Sequence, residues 1–367
     1  MSPPLHLSLY SLWFLGVSAV NLCFPCCIWL RIGAGQAPEP ARGPPPRRAP
    51  RKTRRKVIMV EGRPSTAART VHTMKLQGIF PPITTPFDHN GDIYAAKLQH
   101  NVEKWNRTTL SGYVVMGSTG ESVFLTAEEK YAVWELVAKH AAPDKLLIAG
   151  TGMESVRETV ALTNRAADMG YKAAMVRTPH YYKNLVNRAD AQVLYYRAVA
   201  DQSRLPLIIY NWPQTTGVDI PVEAVVALSE HPNVIAIKES SGSLEKVMQM
   251  IREVKHGFQV LVGSAPTLWP SLLMGACGAI LAYANAAPYS VIAIWEAYRT
   301  REDAAGLDWQ NRIGRAATLV TAKYGVPGLK YAMDLNGYYG GPPRLPLTVP
   351  TEAARKEIAE AFQDLKG

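Results

Sequence analysis

The chain has 367 residues, 47% of them hydrophobic, enough for one large core or two ordinary ones, and a net charge of +10. The charge is concentrated: residues 1–73 hold eleven Lys and Arg against two acids, whereas residues 74–367 hold 29 basic and 28 acidic groups. A near-neutral body excludes nucleic acid as its partner, and its single cysteine, Cys277, excludes an internal disulfide and fits a reducing compartment, the cytoplasm.

The extension comes first. Residues 7–30, LSLYSLWFLGVSAVNLCFPCCIWL, run 24 positions without charge, the length of a helix that crosses a bilayer core of roughly 30 Å. A membrane anchor of that kind would place the basic run PRRAPRKTRRK on the cytoplasmic side. A secretory signal is disfavoured, since MSPPLH carries no Lys or Arg ahead of the apolar run. The Pro- and Arg-rich stretch APEPARGPPPRRAP reads as disordered linker, and its acid-poor character also fits a mitochondrial transit peptide. A third reading puts the true start at Met74, directly before the first strand. Cys23 and Cys26 form one C-x-x-C without a second pair, which reads as apolar filling rather than a metal site.

From Met74 onward short apolar runs alternate with longer amphipathic ones. The runs are GIFPPITT (78–85), GYVVMG (112–117), KLLIAGT (145–151), AAMVRT (173–178), LPLIIYN (205–211), NVIAIKE (233–239), QVLVGS (259–264) and GAILAY (278–283). They are brief and rich in Ile, Val and Leu, as parallel strands covered on both faces are. The segments between have helical period and their own punctuation: Thr126 with Glu129 and Ser155 with Glu158 have capping-box spacing, and Gly170 and Gly257 stand where helices should end. Eight such alternations predict an α/β fold, a (β/α)8 TIM barrel over residues 74–300. The competing open doubly wound sheet lacks its G-x-G-x-x-G after the first strand. Residues 301–367 keep a helical pattern and are expected to form a small C-terminal helical layer on the barrel.

In such barrels chemistry gathers at the C-terminal ends of the strands. Lys238 ends the sixth run, where alternation puts Val234, Ala236 and Lys238 on one face. Desolvation there favours the neutral amine, the form that attacks a carbonyl; the plain alternative is a solvated strand end. The second run enters GSTGES, whose Gly117, Ser118 and Thr119 offer hydroxyls and successive N–H groups to a carboxylate. The fifth ends on Tyr210, a phenol able to move a proton on its neighbour or merely to fill the barrel rim. The fourth leads into TPHYY, with Tyr181 and Tyr182. Amine, phenol, hydroxyl pair and anion-binding turn together describe Schiff-base chemistry on a 2-oxo acid.

GSTGE, YNWP and IKESSG, in that order on strands two, five and six, resemble the dihydrodipicolinate synthase and N-acetylneuraminate lyase superfamily of class I aldolases, over residues 75–365. The resemblance implies a pyruvate-forming or pyruvate-using lyase with no metal and no organic cofactor, assembled as a homotetramer. It implies Lys238 as the Schiff-base lysine, Tyr210 as proton donor and acceptor, Ser118 as the hydroxyl linking Tyr210 to a second tyrosine, Thr119 at the pyruvate carboxylate and Ile280 against pyruvate. The second tyrosine, which in the family crosses a subunit interface, aligns best with Tyr181, with Tyr182 as the alternative. Dihydrodipicolinate synthases usually carry an arginine where Thr215 stands, and N-acetylneuraminate lyases carry acids where this chain reads GSAPTL. GSAPTL and YGVPGLKYAMDLNGYYGGPPRLPL resemble instead the branch that cleaves 4-hydroxy-2-oxoglutarate to pyruvate and glyoxylate. Condensation of pyruvate with aspartate semialdehyde and cleavage of another 2-keto-3-deoxy acid are the alternatives, and a non-catalytic pyruvate-binding barrel is the rival outside enzymes. No His/Asp/Glu cluster at ligand spacing stands in the sequence, so no metal is expected.

Overall fold

The structure, a computed structural model, describes residues 74–365; the readings of the N-terminal extension fall outside them. Eight strands appear where the apolar runs place them: β1 (Gly78–Phe80), β2 (Gly112–Val115), β3 (Leu146–Gly150), β4 (Ala173–Arg177), β5 (Leu207–Asn211), β6 (Val234–Glu239), β7 (Gln259–Val262) and β8 (Gly278–Ile280). All their pairings are parallel, and the sheet runs β1-β8-β7-β6-β5-β4-β3-β2. Closure falls between β1 and β2, where Pro81 and Pro82 have no N–H to give a ladder. The seam is joined instead by the amides of Ser111, Val114 and Ile83, which donate to the carbonyls of Ile79, Pro81 and Val114 at 2.9, 3.0 and 2.9 Å.

Helices α1 (Ala95–Asn106), α2 (Ala127–His140), α3 (Val156–Asp168), α4 (Ala189–Gln202), α5 (Val222–Ser229), α6 (Leu244–Glu253), α7 (Leu268–Leu273) and α8 (Pro288–Thr300) return the chain between strands. The Thr126–Glu129 pair forms a full capping box at the start of α2, while Ser155 accepts from the Glu158 amide at α3. Gly170 and Gly257 adopt φ of +87° and +91° just beyond α3 and α6, the left-handed geometry that lets those chains turn away. After α8 come α9 (Asp303–Thr318), a π-helical turn (Leu319–Lys323), α10 (Gly325–Leu335) and α11 (Glu352–Ala361). Among the described residues no helix is long and apolar enough to cross a membrane.

Strand alternation divides the core in two. Ile209, Ile237 and Val262 face outward into a core shared with Trp105, Trp134 and Leu228, whereas Val114, Ile148, Ile208, Ala236 and Leu261 fill the barrel interior. One expectation needs correction. Leu207 pairs with Val234 but Ile208 pairs with Ala236, so β6 carries an extra residue at Ile235. That bulge turns Val234 into the outer core, and only Ala236 and Lys238 keep the inward face.

Candidate active site

β5 and β6 lie side by side with Tyr210 opposite Lys238 and Asn211 opposite Glu239. Because side chains alternate, the first pair enters the barrel mouth and the second turns outward. Lys238 is only 5% exposed, and its Nζ lies 4.2 Å from the centroid of the Tyr210 ring. Burial without an anionic partner penalises the ammonium form and brings its pKa from 10.5 down to about 7. The space it occupies depends on Gly263. A Cβ there would stand 2.8 Å from Lys238 Cε and 1.9 Å from Ser240 Oγ, so a larger residue would push the lysine or the serine out of its place.

Tyr210 is buried and stacks on Trp212, with ring centroids 6.2 Å apart. Burial holds its phenol well above the usual range, and the neighbouring Ser118 hydroxyl is the influence that pulls the other way. The phenol therefore keeps its proton at neutral pH. It can accept another only as it hands its own on, and Ser118 is the hydroxyl placed to receive it.

Ser118–Gly120 form a single 3-10 turn between two non-glycine residues with positive φ, Met116 at 65° and Glu121 at 56°. Left-handed backbone costs such residues about 1 kcal/mol or more, and here it folds the chain back over the end of β2. The amides of Gly120 and Glu121 close the turn on the carbonyls of Gly117 and Ser118 at 3.1 and 3.0 Å. The amides at its start, on Ser118 and Thr119, are left over by that geometry. With the Thr119 hydroxyl they form a donor set suited to a carboxylate.

Thr119, Tyr210 and Lys238 line one cavity of about 550 Å³ at the C-terminal ends of the strands. Among the described residues Lys238 is its only basic lining group; Thr215, Ser240, Ser241 and Ser264 contribute neutral polar groups. The far wall comes from the C-terminal layer: Thr318 of α9, Val320 and Thr321 of the π-helical turn, and Val326 and Leu329 of α10. Sequence reasoning passed over this wall and over Trp212, Ser240 and Ser264. The hydroxyl runs ESSG and GSAP at adjacent strand ends were the available signal for the serines, whereas nothing in the C-terminal pattern marks which helix face covers the mouth. Gly117 sits buried at the foot of the turn, and Ile280 is packed in the barrel interior in the same cluster as Tyr210. Tyr181 and Tyr182 are not brought to the cavity. They stand 77% and 68% exposed, edge to face at 5.1 Å, with the Tyr181 amide donating to Glu154 Oε2 at 3.0 Å.

The outward pair steadies the inward one. Asn211 Nδ2 donates to Glu239 Oε2 at 2.9 Å and to Asp219 Oδ1 at 2.8 Å, and its Oδ1 accepts from the Ile220 amide at 3.0 Å. Glu239 Oε1 accepts from the Ser241 amide at 2.6 Å, which ties the mouth loop to β6.

A sequence model of the dihydrodipicolinate synthetase family matches residues 75–365. The chain is 34% identical over 297 residues to the 4-hydroxy-tetrahydrodipicolinate synthase of Methanothrix thermoacetophila, covering 79% of this chain and 98% of that one. It is 32% identical over 293 residues to the probable mitochondrial 4-hydroxy-2-oxoglutarate aldolase of Emericella nidulans, covering 78% and 94%. Among solved structures, the dihydrodipicolinate synthase of Bacillus anthracis superposes with a TM-score of 0.76 at 28% identity, over 80% of this chain and 100% of that one. The chloride-inhibited dihydrodipicolinate synthase of Acinetobacter baumannii, complexed with pyruvate, superposes with a TM-score of 0.76 at 30% identity, over 79% and 99%.

Proposed function

The chain belongs to the dihydrodipicolinate synthetase family and is a lyase of the class I, Schiff-base kind; from that premise we propose that it cleaves 4-hydroxy-2-oxoglutarate reversibly to pyruvate and glyoxylate, with Lys238 as its nucleophile. The observation that carries this reading is the buried amine, its pKa brought down to about 7, facing Tyr210 at the end of β6. The Lys238 amine adds to C2 of the keto acid. Tyr210 gives its proton to the departing hydroxyl, and water leaves. The protonated imine then draws the electrons of the C3–C4 bond as Tyr210 takes the proton of the C4 hydroxyl and glyoxylate departs. Protonation of the enamine at C3 and hydrolysis return pyruvate and the free lysine. Thr119 and the turn amides hold the C1 carboxylate, Gly117 shapes that turn, and Ile280 backs the methyl end of pyruvate.

The choice of partner rests on Thr215. This residue lines the cavity five positions after Tyr210, and a fixed cation there would be needed to hold a second amino-acid-like carboxylate. The Emericella nidulans relative is named for the cleavage reaction, which supports the same reading. Condensation of pyruvate with aspartate semialdehyde is the second reading, favoured by the name of the Methanothrix thermoacetophila relative. The exposure of Tyr181, away from the cavity of its own chain, supports a homotetramer in which this phenol completes the proton relay of a neighbour.

Borohydride reduction in the presence of pyruvate should add one pyruvate-derived mass to the Lys238 peptide; labelling of any other residue overturns the mechanism. Turnover of 4-hydroxy-2-oxoglutarate should exceed condensation of pyruvate with aspartate semialdehyde. The reverse result selects the second reading.

A further inference from the structure

The GSTGES motif holds an acid, its fifth residue, that the chemistry above does not use. Glu121 is 1% exposed, has a left-handed backbone at φ 56°, and follows Thr119 by two residues. A buried carboxylate in strained backbone is doubly unfavourable unless the surroundings hold it. The holder is Lys330 of α10, also about 1% exposed, whose Nζ lies 2.6 Å from Glu121 Oε1. Lys330 Nζ further donates to the Pro342 carbonyl at 3.0 Å and sits 4.5 Å from the Phe87 ring centroid. The second carboxylate oxygen accepts from the Arg344 amide at 2.8 Å. Arg344 is itself fixed: its guanidinium donates to both carboxylate oxygens of Glu129 at 2.8 and 2.6 Å and to the carbonyls of Gly91 and Phe124.

Each end of this ion pair therefore adjoins one wall of the cavity. Glu121 continues the turn that carries Ser118 and Thr119, and Lys330 follows Leu329, which lines the opposite wall. We propose that Glu121 and Lys330 are positioning residues, a buried brace that sets the turn's distance from the C-terminal wall and thereby how tightly the site holds the keto acid's carboxylate. The inference rests on the reading that this turn binds that carboxylate. Apolar residues of similar volume would pack such a pair's space at no loss of stability, so stability alone does not account for the charges. What an ion pair adds is a preferred separation, since Lys330 Nζ meets Glu121 Oε1 while donating to the Pro342 carbonyl, and Glu121 Oε2 is held by the Arg344 amide.

The test is the pyruvate dependence of borohydride trapping in the full chain. Glu121→Gln, Lys330→Met and the double change E121L/K330M are compared with wild type and with Val137→Ala, a cavity-forming change in the outer core. The apparent KM for pyruvate should rise about tenfold in the single variants and in the double variant, a loss of about 1.4 kcal/mol of carboxylate binding. The trapping rate at saturating pyruvate should stay within about twofold, because Lys238 and Tyr210 are untouched. The single variants leave one buried charge unpaired; should they not fold, E121L/K330M decides alone. A folded double variant with wild-type KM overturns the brace, as does a fall in saturated rate without a change in KM, or the same KM rise in Val137→Ala. Absence of trapping in wild type overturns the Schiff-base reading itself and is separate from these outcomes.

Discussion

Lys238 illustrates how one side chain couples reactivity to stability. Its amine must be neutral to attack, so the rate of imine formation should climb with pH to a midpoint near 7, read as the initial rate of borohydride trapping at pyruvate well below saturation, where the free enzyme's titration is reported. Lys238→Arg should abolish trapping at every pH, since a guanidinium never presents a free lone pair. The sign of the stability effect follows from the same depression. Between pH 7 and 10.5 the unfolded chain binds a proton at this lysine that the folded chain lacks, so folding grows more favourable as pH rises through that window. Below pH 7 both states carry the proton and the full penalty of burying it persists. Lys238→Met removes that dependence. It should be more stable than wild type at pH 6, and its advantage should shrink by about 3 kcal/mol by pH 9, measured by urea unfolding at the two pH values. An advantage that does not change with pH would mean the amine titrates near its ordinary value.

At the scale of elements, strand ends place the chemistry, and neighbouring strands hold one another in register. Asn211 is the link between β5 and β6 outside the barrel, with Glu239, Asp219 and the Ile220 amide as its partners. Asn211→Ala should cost about 3 kcal/mol, because the buried Glu239 carboxylate loses one of its two hydrogen-bond donors and the Ile220 amide its acceptor. The same change should slow trapping at saturating pyruvate, by loosening Tyr210 against Lys238. Unchanged unfolding together with unchanged trapping would make this link incidental. Much of the arrangement was legible beforehand because its signals are local. Each strand is a short apolar run, the Thr126 cap lies within one turn of its helix, and Lys238 and Tyr210 each end a strand. What stayed hidden depends on contacts between distant segments. The bulge that turns Val234 outward appears only when β6 is laid against β5. The pairing of Glu121 with Lys330 and the wall formed by Leu319–Lys323 join parts of the chain that share no sequence pattern. Ser240 and Ser264 were visible only as members of hydroxyl-rich runs, with nothing to separate a cavity lining from a solvated loop.

For the molecule as a whole, the exposed tip of the loop after β4 is the feature that bears on assembly. Tyr181, Tyr182 and Leu185 are 77%, 68% and 68% exposed, more apolar surface than one loop usually offers to water. The cavity of the same chain already holds Lys238, Tyr210 and Thr119, the groups to which the proposed imine formation is assigned. If the loop serves a neighbouring subunit, assembly and the proton relay depend on it, while imine formation does not. Leu185→Glu puts a charge into that surface without touching the cavity. It should dissociate the protein in sedimentation velocity and lower the rate of aldol cleavage at least tenfold, yet leave borohydride trapping of pyruvate on Lys238 intact. Tyr181→Phe should lower cleavage to a similar degree with the assembly preserved, since only the hydroxyl is lost. Full cleavage activity in a Leu185→Glu monomer would show that each chain carries a complete relay, and the tyrosine partner of Ser118 would then have to be sought within the barrel's own mouth.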